Sequence, residues 1–170
     1  MAVTEVGVRP ATHHDFDAIA GMMKDFVLLH HRWQPEQFRS AFLGFTAAIF
    51  QGWLERKDEL HLAADVAGNI SGYASASRWE AWGNNLAWPR RNVYIQFVVV
   101  APARRRSGIG RTLFAAIEAW AHEFEAEYVG LNVSPMNEAG RAFYAALGYD
   151  VSNEFRAKTL RKVTRLENAP

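Results

Sequence analysis

The turn Arg105-Arg106-Ser107-Gly108-Ile109-Gly110 joins an apolar segment, Val93 to Val100, to an amphipathic segment that starts at Arg111. The apolar segment predicts a buried central strand, and the amphipathic segment predicts a helix. The glycines of the turn let the backbone approach a ligand closely, and the first helical turn offers unpaired N–H groups to an anion. The sequence therefore predicts a pyrophosphate site here, with neighbouring arginines as additional cations: Arg105, Arg106 and Arg111.

A second segment with a candidate ligand-binding face begins at Asn137, which is predicted to cap a helix. Asn137 and Tyr144 are about two helical turns apart in sequence and therefore lie on nearly the same face. Gly140 lies between them, and its small size would leave room for a ligand. The Asn137 side chain could bond either the start of its own helix or an amide group of the ligand.

The rest of the chain predicts strands and helices around these two segments. Before the turn, the sequence first predicts a strand from Val3 to Val8 and a helix that starts at Thr12 and Asp15. A helical region from Pro35 to about Lys57, with a break near Gly44, comes next, and it is followed by a hairpin with strands Leu60 to Val66 and Ile70 to Trp79. After the turn come a helix with the apolar face Leu113, Ile117, Trp120 and Phe124, a strand from Tyr128 to Val133, a helix ended by Gly148, and one or two strands between Asp150 and Thr164. A hairpin before the phosphate-binding strand and a short glycine pattern differ from a Rossmann unit, and the Gly-Lys-Ser/Thr ending of a P-loop is also missing.

Length and composition are typical of one globular domain. The 170 residues are 49% hydrophobic and 22% charged, which predicts a single domain over residues 1–170 with a substantial core. The net charge of +1 gives no overall attraction to nucleic acid or to an anionic membrane. The sequence contains no cysteine, which excludes disulfides, thiolate nucleophiles and cysteine metal ligands. No apolar run reaches the length of a membrane span, and a cytoplasmic protein is expected.

The two ligand-binding segments resemble the conserved blocks of the GCN5-related N-acetyltransferase (GNAT) family. The turn is similar to the family's Arg/Gln-x-x-Gly-x-Gly/Ala signature, and Val98-Val99-Val100-Ala101-Pro102 is similar to the strand and strand exit that precede it. Asn137-Glu138-Ala139-Gly140-Arg141-Ala142-Phe143-Tyr144, followed by Leu147-Gly148-Tyr149, resembles the second block. Residues 93–149 carry this specific match, whereas residues 1–92 match only in their order of elements.

The resemblance implies an α/β acyl-CoA N-acyltransferase fold, in which helices flank a mixed, mainly antiparallel sheet. It also implies acetyl-CoA as cosubstrate and transfer of the acetyl group to a primary amine by direct attack in a ternary complex, without an acyl-enzyme. A homodimer is a further implication. The acceptor stays open among small polyamines, antibiotics, amino acids and protein lysines or N-termini.

By the same resemblance, the cofactor would follow the strand and then the turn. The pantetheine arm would pair with the backbone of Val98, Val99 and Val100, where an N–H near Val98 or Val99 would stabilise the developing oxyanion. Asn137 would contact this arm, and Tyr144 would reach the sulfur and protonate the departing thiolate. Alternatively, Tyr144 is a packing aromatic beside Phe143. The pyrophosphate would be held by Arg105, Arg106, Ser107, Gly108, Ile109, Gly110 and Arg111.

The attacking amine must lose a proton, because a lysine-like ammonium has a pKa of about 10.4. Many relatives have an acidic residue where this chain has Gln96, which can orient a water but cannot act as the base. Glu80 is the leading candidate base, followed by His30 and His31. Each could instead be structural, Glu80 as a solvated carboxylate and the histidines as partly buried helix residues. Entry of an already neutral amine is a further alternative.

Trp33 and Trp79, together with Gln96, are the candidate residues of the acceptor pocket. With Trp82 and Trp88, the two tryptophans could form an aromatic wall for an apolar or cationic substrate. They could equally fill the core or a dimer contact. The sequence therefore leaves the acceptor open between a small-molecule amine and a protein amine.

Parts of the sequence are also compatible with two other functions. Arg104, Arg105 and Arg106, with Arg90 and Arg91, would suit a nucleic-acid-binding module, but the near-zero net charge and the lack of a recognised binding signature argue against one, and no nucleic-acid partner is expected. A catalytically inactive acyl-CoA sensor is the other alternative, which Tyr144 disfavours. No metal site is predicted, because the histidine pairs His13-His14 and His30-His31 are adjacent residues that face different directions on a helix.

Overall fold

The computed structural model describes residues 6–40, 44–83, 86–158 and 160. Contacts divide the chain into two compact units, of which the first comprises Met1–Met23 and Gly44–Asn132. The second comprises Lys24–Leu43 and Val133–Pro170. The predicted single domain over residues 1–170 stays a prediction.

The first unit is built on a mixed sheet with the strand order β1-β2-β3-β4-β5 among the described residues. Neighbouring strands from β1 to β4 pair antiparallel, and β4 pairs with β5 in parallel. This arrangement confirms the predicted fold class. The strands are β1 Val6–Pro10, β2 Glu59–Val66, β3 Asn69–Ala81, β4 Arg90–Val100 and β5 Tyr128–Leu131.

The hairpin between β2 and β3 confirms the sequence prediction and has a two-residue turn. Ala67 and Gly68 have φ angles of 53° and 80°, both in the left-handed region. Turns of this kind match the twist of the strands they join, and glycine tolerates the conformation without strain. The turn pairs Val66 with Asn69, and a β-bulge at Ser71 then shifts the register by one residue, so that His61 lies opposite Ser75.

The described helices are α1 Phe16–Trp33, α2 Ala47–Leu54, α3 Ile109–Glu123 and α4 Glu138–Ala145, with a short 3-10 turn at His13–Asp15 before α1. The predicted capping contact forms before α1: the Thr12 N–H donates to Asp15 Oδ2 at 2.7 Å. Arg9 also pairs with Asp15 at 2.7 Å. This hydrogen-bonded pair is the main reason that the pKa of the Asp15 carboxyl is lowered to about 2. No helix in the described ranges is both long and apolar enough to span a bilayer.

Helix α3 packs on one face of the sheet, where Gly72 of β3 permits a close approach. A Cβ atom at Gly72 would lie 2.7 Å from Ile109 Cγ2, closer than side chains pack, and 3.2 Å from Leu113 Cδ1, a tight contact. The first turn of α3 is therefore held directly against the sheet. On the opposite face, the Phe50 ring of α2 lies 6.2 Å from the Tyr73 ring in an edge contact.

Two predicted elements differ from the structure. The helical region from Pro35 to Lys57 contains a described helix only at Ala47–Leu54, and Gly44, with a φ of 78°, marks the break before it. The strands predicted between Asp150 and Thr164 are wrong for residues 150–158, which have no regular structure. Val151 and Phe155 are 88% and 91% exposed, so this segment buries no face against which a strand could form.

The ends of other predicted strands fall partly outside the described residues. The first strand was predicted from Val3, and its described part, β1, runs on to Pro10. Thr159 and residues 161–164 of the last predicted strands also lie outside the described residues.

Candidate active site

The sheet opens between β4 and β5. Their parallel pairing ends at Ile95 and Leu131, whereas β4 continues to Val100 and stays paired with β3. Across the described ranges, no strand pairs with the other edge of β4 beyond Ile95. The backbone around Val98, Val99 and Val100 can therefore pair with an extended ligand as an added strand would.

A β-bulge lies at the point where β4 leaves β5. Ala76 pairs with Ile95 and Ser75 pairs with Phe97, so Gln96 is the extra residue on β4. Among the described side chains, Gln96 Oε1 is buried without a hydrogen-bond partner. Bulges bend a strand and re-aim its side chains. The predicted pocket residue Gln96 therefore lies at the start of the opening.

The turn after β4 has the geometry of an anion site. Gly108 has a φ of 90° and precedes α3, and a Cβ there would meet no atom within 4 Å. Glycine is therefore required here by the backbone conformation and not by lack of space. Arg106 also has a positive φ, of 65°. Ser107 Oγ donates to the Arg104 carbonyl at 2.6 Å, and Arg105 Nε donates to the Val100 carbonyl at 3.4 Å.

The start of α3 supplies the donors for an anion. Within the described structure, the N–H groups of residues 107–111 have no backbone acceptor, as expected at a helix start. Ile109 is buried and fixes the first turn of the helix, while the side chains of the neighbouring arginines are exposed. A diphosphate could thus contact backbone donors and mobile cations together: Gly110, Arg105, Arg106 and Arg111.

In the second unit, Asn137 caps α4 and uses its side chain to do so. Asn137 Oδ1 accepts from the Gly140 N–H at 2.9 Å. A Cβ at Gly140 would lie 2.3 Å from Asn137 Nδ2, so the small residue makes room for Asn137 itself. The expectation that Gly140 leaves space for a ligand is therefore wrong. The Asn137 Nδ2 group remains the atom that could donate to a ligand.

Tyr144 lies on the same helix as Asn137 and is half-buried. Burial raises the pKa of its phenol above the ordinary value of 10.0. The phenol therefore keeps its proton at neutral pH, as a proton donor must. Its ring lies 5.6 Å from the ring of Phe143.

The other candidate residues of the second unit form an aromatic cluster at the end of α1. The His30 ring lies 5.2 Å from the Trp33 ring and 5.1 Å from the Phe38 ring. His30 Nδ1 is 2.9 Å from the Phe26 carbonyl, and His31 Nδ1 is 2.8 Å from the Phe38 carbonyl. Each histidine therefore has one ring nitrogen engaged with the backbone.

Glu80 and Trp79 lie at the hairpin end of β3 and β4. Glu80 is exposed and accepts from Arg91 Nε at 3.2 Å. It pairs with Arg91 in the register, four residues before the opening at Ile95, which is about 13 Å along the strand. The structure does not bring Glu80 or Trp79 to the β4 opening. The cavity beside them, about 460 Å³, is lined by Glu80, Ala81, Trp82, Pro89, Arg90, Arg91, Glu125 and Glu127.

A buried polar cluster that the sequence did not predict lies on β2 and β3. His61 Nδ1 is 2.8 Å from the Tyr73 hydroxyl, and His61 Nε2 is 3.1 Å from Glu59 Oε2. Burial, as the main cause, lowers the pKa of His61 from 6.5, and it raises that of Tyr73 above its usual range. The signal available in the sequence was Glu59 and His61 spaced two apart in an otherwise apolar strand. Across the described residues, no group of three His, Cys, Asp or Glu side chains could hold a metal ion.

Solved structures with the same fold include a mutant of the BH1408 protein from Bacillus halodurans, with a TM-score of 0.87 and 24% identity over 91% of this chain and 99% of that one. A transcriptional regulator from Bacillus halodurans has a TM-score of 0.74 and 22% identity, covering 92% of this chain and 100% of its own. The aminoglycoside N-acetyltransferase AAC(6')-Iy, solved with the bisubstrate analog CoA-S-monomethyl-acetylneamine, has a TM-score of 0.70 and 18% identity over 93% and 99% of the two chains. At these identities the similarity establishes the fold.

The family follows from the sequence itself. No curated protein matches the chain. The model of the acetyltransferase (GNAT) family matches residues 26–149, which include the turn before α3 and the Asn137 helix. This match confirms the family that the two sequence blocks resemble. The chain belongs to the acetyltransferase (GNAT) family.

Proposed function

We propose that the protein is an acetyl-CoA-dependent N-acetyltransferase that acts on a primary amine by direct attack in a ternary complex. The observation that carries this proposal is the opened β4 edge, which leads from Gln96 to the exposed donors at the start of α3. An extended thiol arm ending in a diphosphate has the shape and charge for this path. Family membership supports the same cosubstrate.

Acetyl-CoA would be held by backbone groups more than by side chains. The pantetheine amides would pair with the backbone of Val98, Val99 and Val100. The diphosphate would bind the N–H groups after Gly108, with the surrounding arginines as counterions. The contact of Asn137 with the arm is carried over from the family resemblance, with Nδ2 as the donor because Oδ1 caps the helix.

The reaction needs no covalent enzyme intermediate. The amine nitrogen attacks the thioester carbonyl carbon, and the carbonyl oxygen gains negative charge that a backbone N–H near Val98 or Val99 would stabilise. Collapse of this intermediate breaks the C–S bond, and the nitrogen releases its extra proton to water, which replaces the proton that Tyr144 gives to the departing thiolate. The Tyr144 phenol would protonate the departing thiolate, a role that rests on the family resemblance and on its burial.

The proposed acceptor is a small-molecule amine. The support is that a protein of the same fold, AAC(6')-Iy, was solved with a bisubstrate analog of CoA and an acetylneamine. Trp33 and Gln96 stay the predicted pocket residues, and Trp79, which lies at the hairpin end of β3 and β4, is left out of this proposal. A homodimer is part of the proposal, supported by the exposed Trp82 and Trp88. Residues 1–170 are proposed to form one N-acetyltransferase domain.

The proposal is tested first by binding and then by turnover. Acetyl-CoA and CoA at 100 times Kd should each stabilise the fold by about 2.7 kcal/mol and raise the midpoint of thermal unfolding, whereas ATP should not. Thiol release from acetyl-CoA is then measured with a fixed panel of kanamycin, neamine, spermidine, lysine and a lysine-containing peptide. Binding of CoA without release by any amine would favour the sensor function.

Tyr144→Phe tests the proton donor. We expect kcat to fall roughly 10-fold or more, while acetyl-CoA affinity stays nearly unchanged, because the phenyl ring keeps the packing and lacks only the hydroxyl group that carries the proton. The control is Tyr128→Phe, an exposed tyrosine of β5, which should leave both quantities unchanged. Normal turnover of Tyr144→Phe would assign the proton donor elsewhere.

A further inference from the structure

The hydrogen bonds around His61 have a defined direction. The Glu59 carboxylate can only accept, so His61 Nε2 carries the proton that faces it. His61 Nδ1 then holds the lone pair and accepts from the Tyr73 hydroxyl. Ser75 is buried on β3 two residues from Tyr73, on the same face, and its hydroxyl acts to lower the pKa of the Tyr73 phenol, as a donor to the phenol oxygen does. Donation runs from Tyr73 through His61 to Glu59, and Ser75 is the hydroxyl that could pass a proton to Tyr73.

The row of side chains that contains His61 and Ser75 reaches β3, the strand that pairs with β4 beside its open edge. His61, Ser75 and Phe97 are successive cross-strand partners on β2, β3 and β4. The Trp53 ring stacks at 6.5 Å from the His61 ring and at 6.2 Å from the Phe97 ring, so it covers this row on one face. Adjacent strands are about 4.8 Å apart, which puts Ser75 one strand away from the bulge at Gln96.

We propose that the Glu59–His61–Tyr73–Ser75 chain takes the proton from the acceptor ammonium at the β4 bulge, with His61 as the final proton acceptor. This inference rests on the proposed acetyl transfer. The buried, unpartnered Gln96 Oε1 accepts one ammonium N–H and holds the nitrogen at the bulge. Gln96 and Ser75 would contact the substrate, whereas Tyr73 and His61 act through Ser75.

The proton of the ammonium would reach His61 in three successive transfers. An ammonium N–H proton passes to Ser75 Oγ, the Ser75 hydroxyl proton to Tyr73 Oη, and the Tyr73 proton to His61 Nδ1. The amine, now neutral, attacks the thioester carbon. The imidazolium is stabilised by the Glu59 carboxylate until it returns the proton to solvent after product release. The net reaction converts an ammonium and a thioester into an amide, a thiol and one proton.

The surroundings of His61 keep it ready to accept a proton. Burial lowers the pKa of His61, and the charge of Arg56 lowers it further. The Glu59 carboxylate and the Trp53 backbone carbonyl act in the opposite sense. Arg56 itself pairs with Glu59 at 2.8 Å. The imidazole is therefore neutral at pH 7, and it has an anionic partner once it is protonated.

The test is the pH dependence of kcat/KM for His61→Gln, measured by thiol release with the panel amine that the wild type acetylates fastest. The wild type binds the ammonium and should be nearly pH-independent between about pH 7 and 9, since His61 is already neutral there. The variant has to use free neutral amine, so its kcat/KM should rise about tenfold per pH unit. At pH 7, kcat should be lower by roughly 10- to 100-fold.

Tyr73→Phe serves as a second interruption of the same chain, for the case that His61→Gln does not fold. It should give the same rising pH profile, and the double variant should be no slower than either single variant. The control is Ser71→Ala, which removes another buried hydroxyl of β3; among the described residues this hydroxyl donates to the Asn69 carbonyl and lies outside the Glu59–His61–Tyr73–Ser75 chain. Its profile should match the wild type.

The outcomes separate the two proposals. If the wild type binds acetyl-CoA but acetylates no amine, the proposed function is overturned, and the proton path through His61 is overturned with it. An active wild type whose profile is unchanged in His61→Gln or Tyr73→Phe overturns the proton path alone. Loss of stability without a change of profile likewise assigns His61 a purely structural role.

Discussion

Two glutamates on the same sheet show how surroundings decide what a carboxylate can do. Glu80, at the hairpin end of β3, has a side chain that is 52% exposed and pairs with Arg91. Glu59, at the start of β2, has a side chain that is 16% exposed and pairs with both His61 and Arg56. Water screens the exposed Glu80–Arg91 pair, whereas the partly buried Glu59 carboxylate acts on His61 through a less polar medium. Glu80 is the leading candidate base from the sequence, whereas the contacts with His61 and Arg56 favour a role for Glu59.

The comparison of Glu59 with Glu80 is most strongly tested by replacing each of them with glutamine. Glu59→Gln keeps an oxygen that can accept from His61 Nε2 but removes the charge that stabilises the imidazolium. We expect kcat at pH 7 to fall roughly 10-fold, whereas Glu80→Gln should leave it within about twofold. Both are measured by thiol release at saturating acetyl-CoA, with urea unfolding as the check on stability.

The reverse result would identify the other end of the sheet as the source of the base. If Glu80→Gln abolished turnover and Glu59→Gln did not, the original prediction for Glu80 would hold and the His61 path would fail. Equal, small effects in both variants would favour entry of the amine in its neutral form.

The fold and the turn before α3 could be predicted from sequence because their signals are local. Gly108 lies in the predicted turn and precedes the predicted helix, and Asn137 caps α4 through its own side chain. The hairpin at Ala67 and Gly68 is likewise set by the conformations that neighbouring residues can adopt. Such features depend on a few consecutive residues, so their pattern in the sequence is sufficient.

The His61 cluster could not be predicted because it depends on register between distant strands. His61 meets Tyr73 because the turn at Gly68 and the β-bulge at Ser71 together set the pairing of β2 with β3. The bulge at Gln96 is equally invisible in sequence, since it is a mismatch between two strands. The predicted room for a ligand at Gly140 is missing for a related reason: the rotamer of the Asn137 side chain, which the sequence does not specify, fills the space beside Gly140.

A second test concerns stability as a function of pH. The pKa of His61 is lowered in the folded protein, so below its unfolded pKa of about 6.5 the unfolded chain binds more protons. Stability should therefore fall as the pH drops from 6.5 to 5, with a slope of at most about 1.4 kcal/mol per pH unit from this group. Urea unfolding of the wild type and His61→Gln should show the extra slope only in the wild type. Parallel curves would mean that His61 titrates alike in both states.

The smallest effect is expected at the hairpin end, where Arg91 connects Glu80 and Glu125. All three side chains are substantially exposed, so the attraction is weakened by water and by the entropy of ordering them. Arg91→Gln should lower the free energy of unfolding by no more than about 1 kcal/mol, and less at 0.5 M salt than at low salt. Urea unfolding at both salt concentrations measures this. Because the hairpin end lies away from the β4 opening, turnover should stay unchanged; a loss of activity at constant stability would show that the exposed pair, and not only the buried chain, serves the reaction.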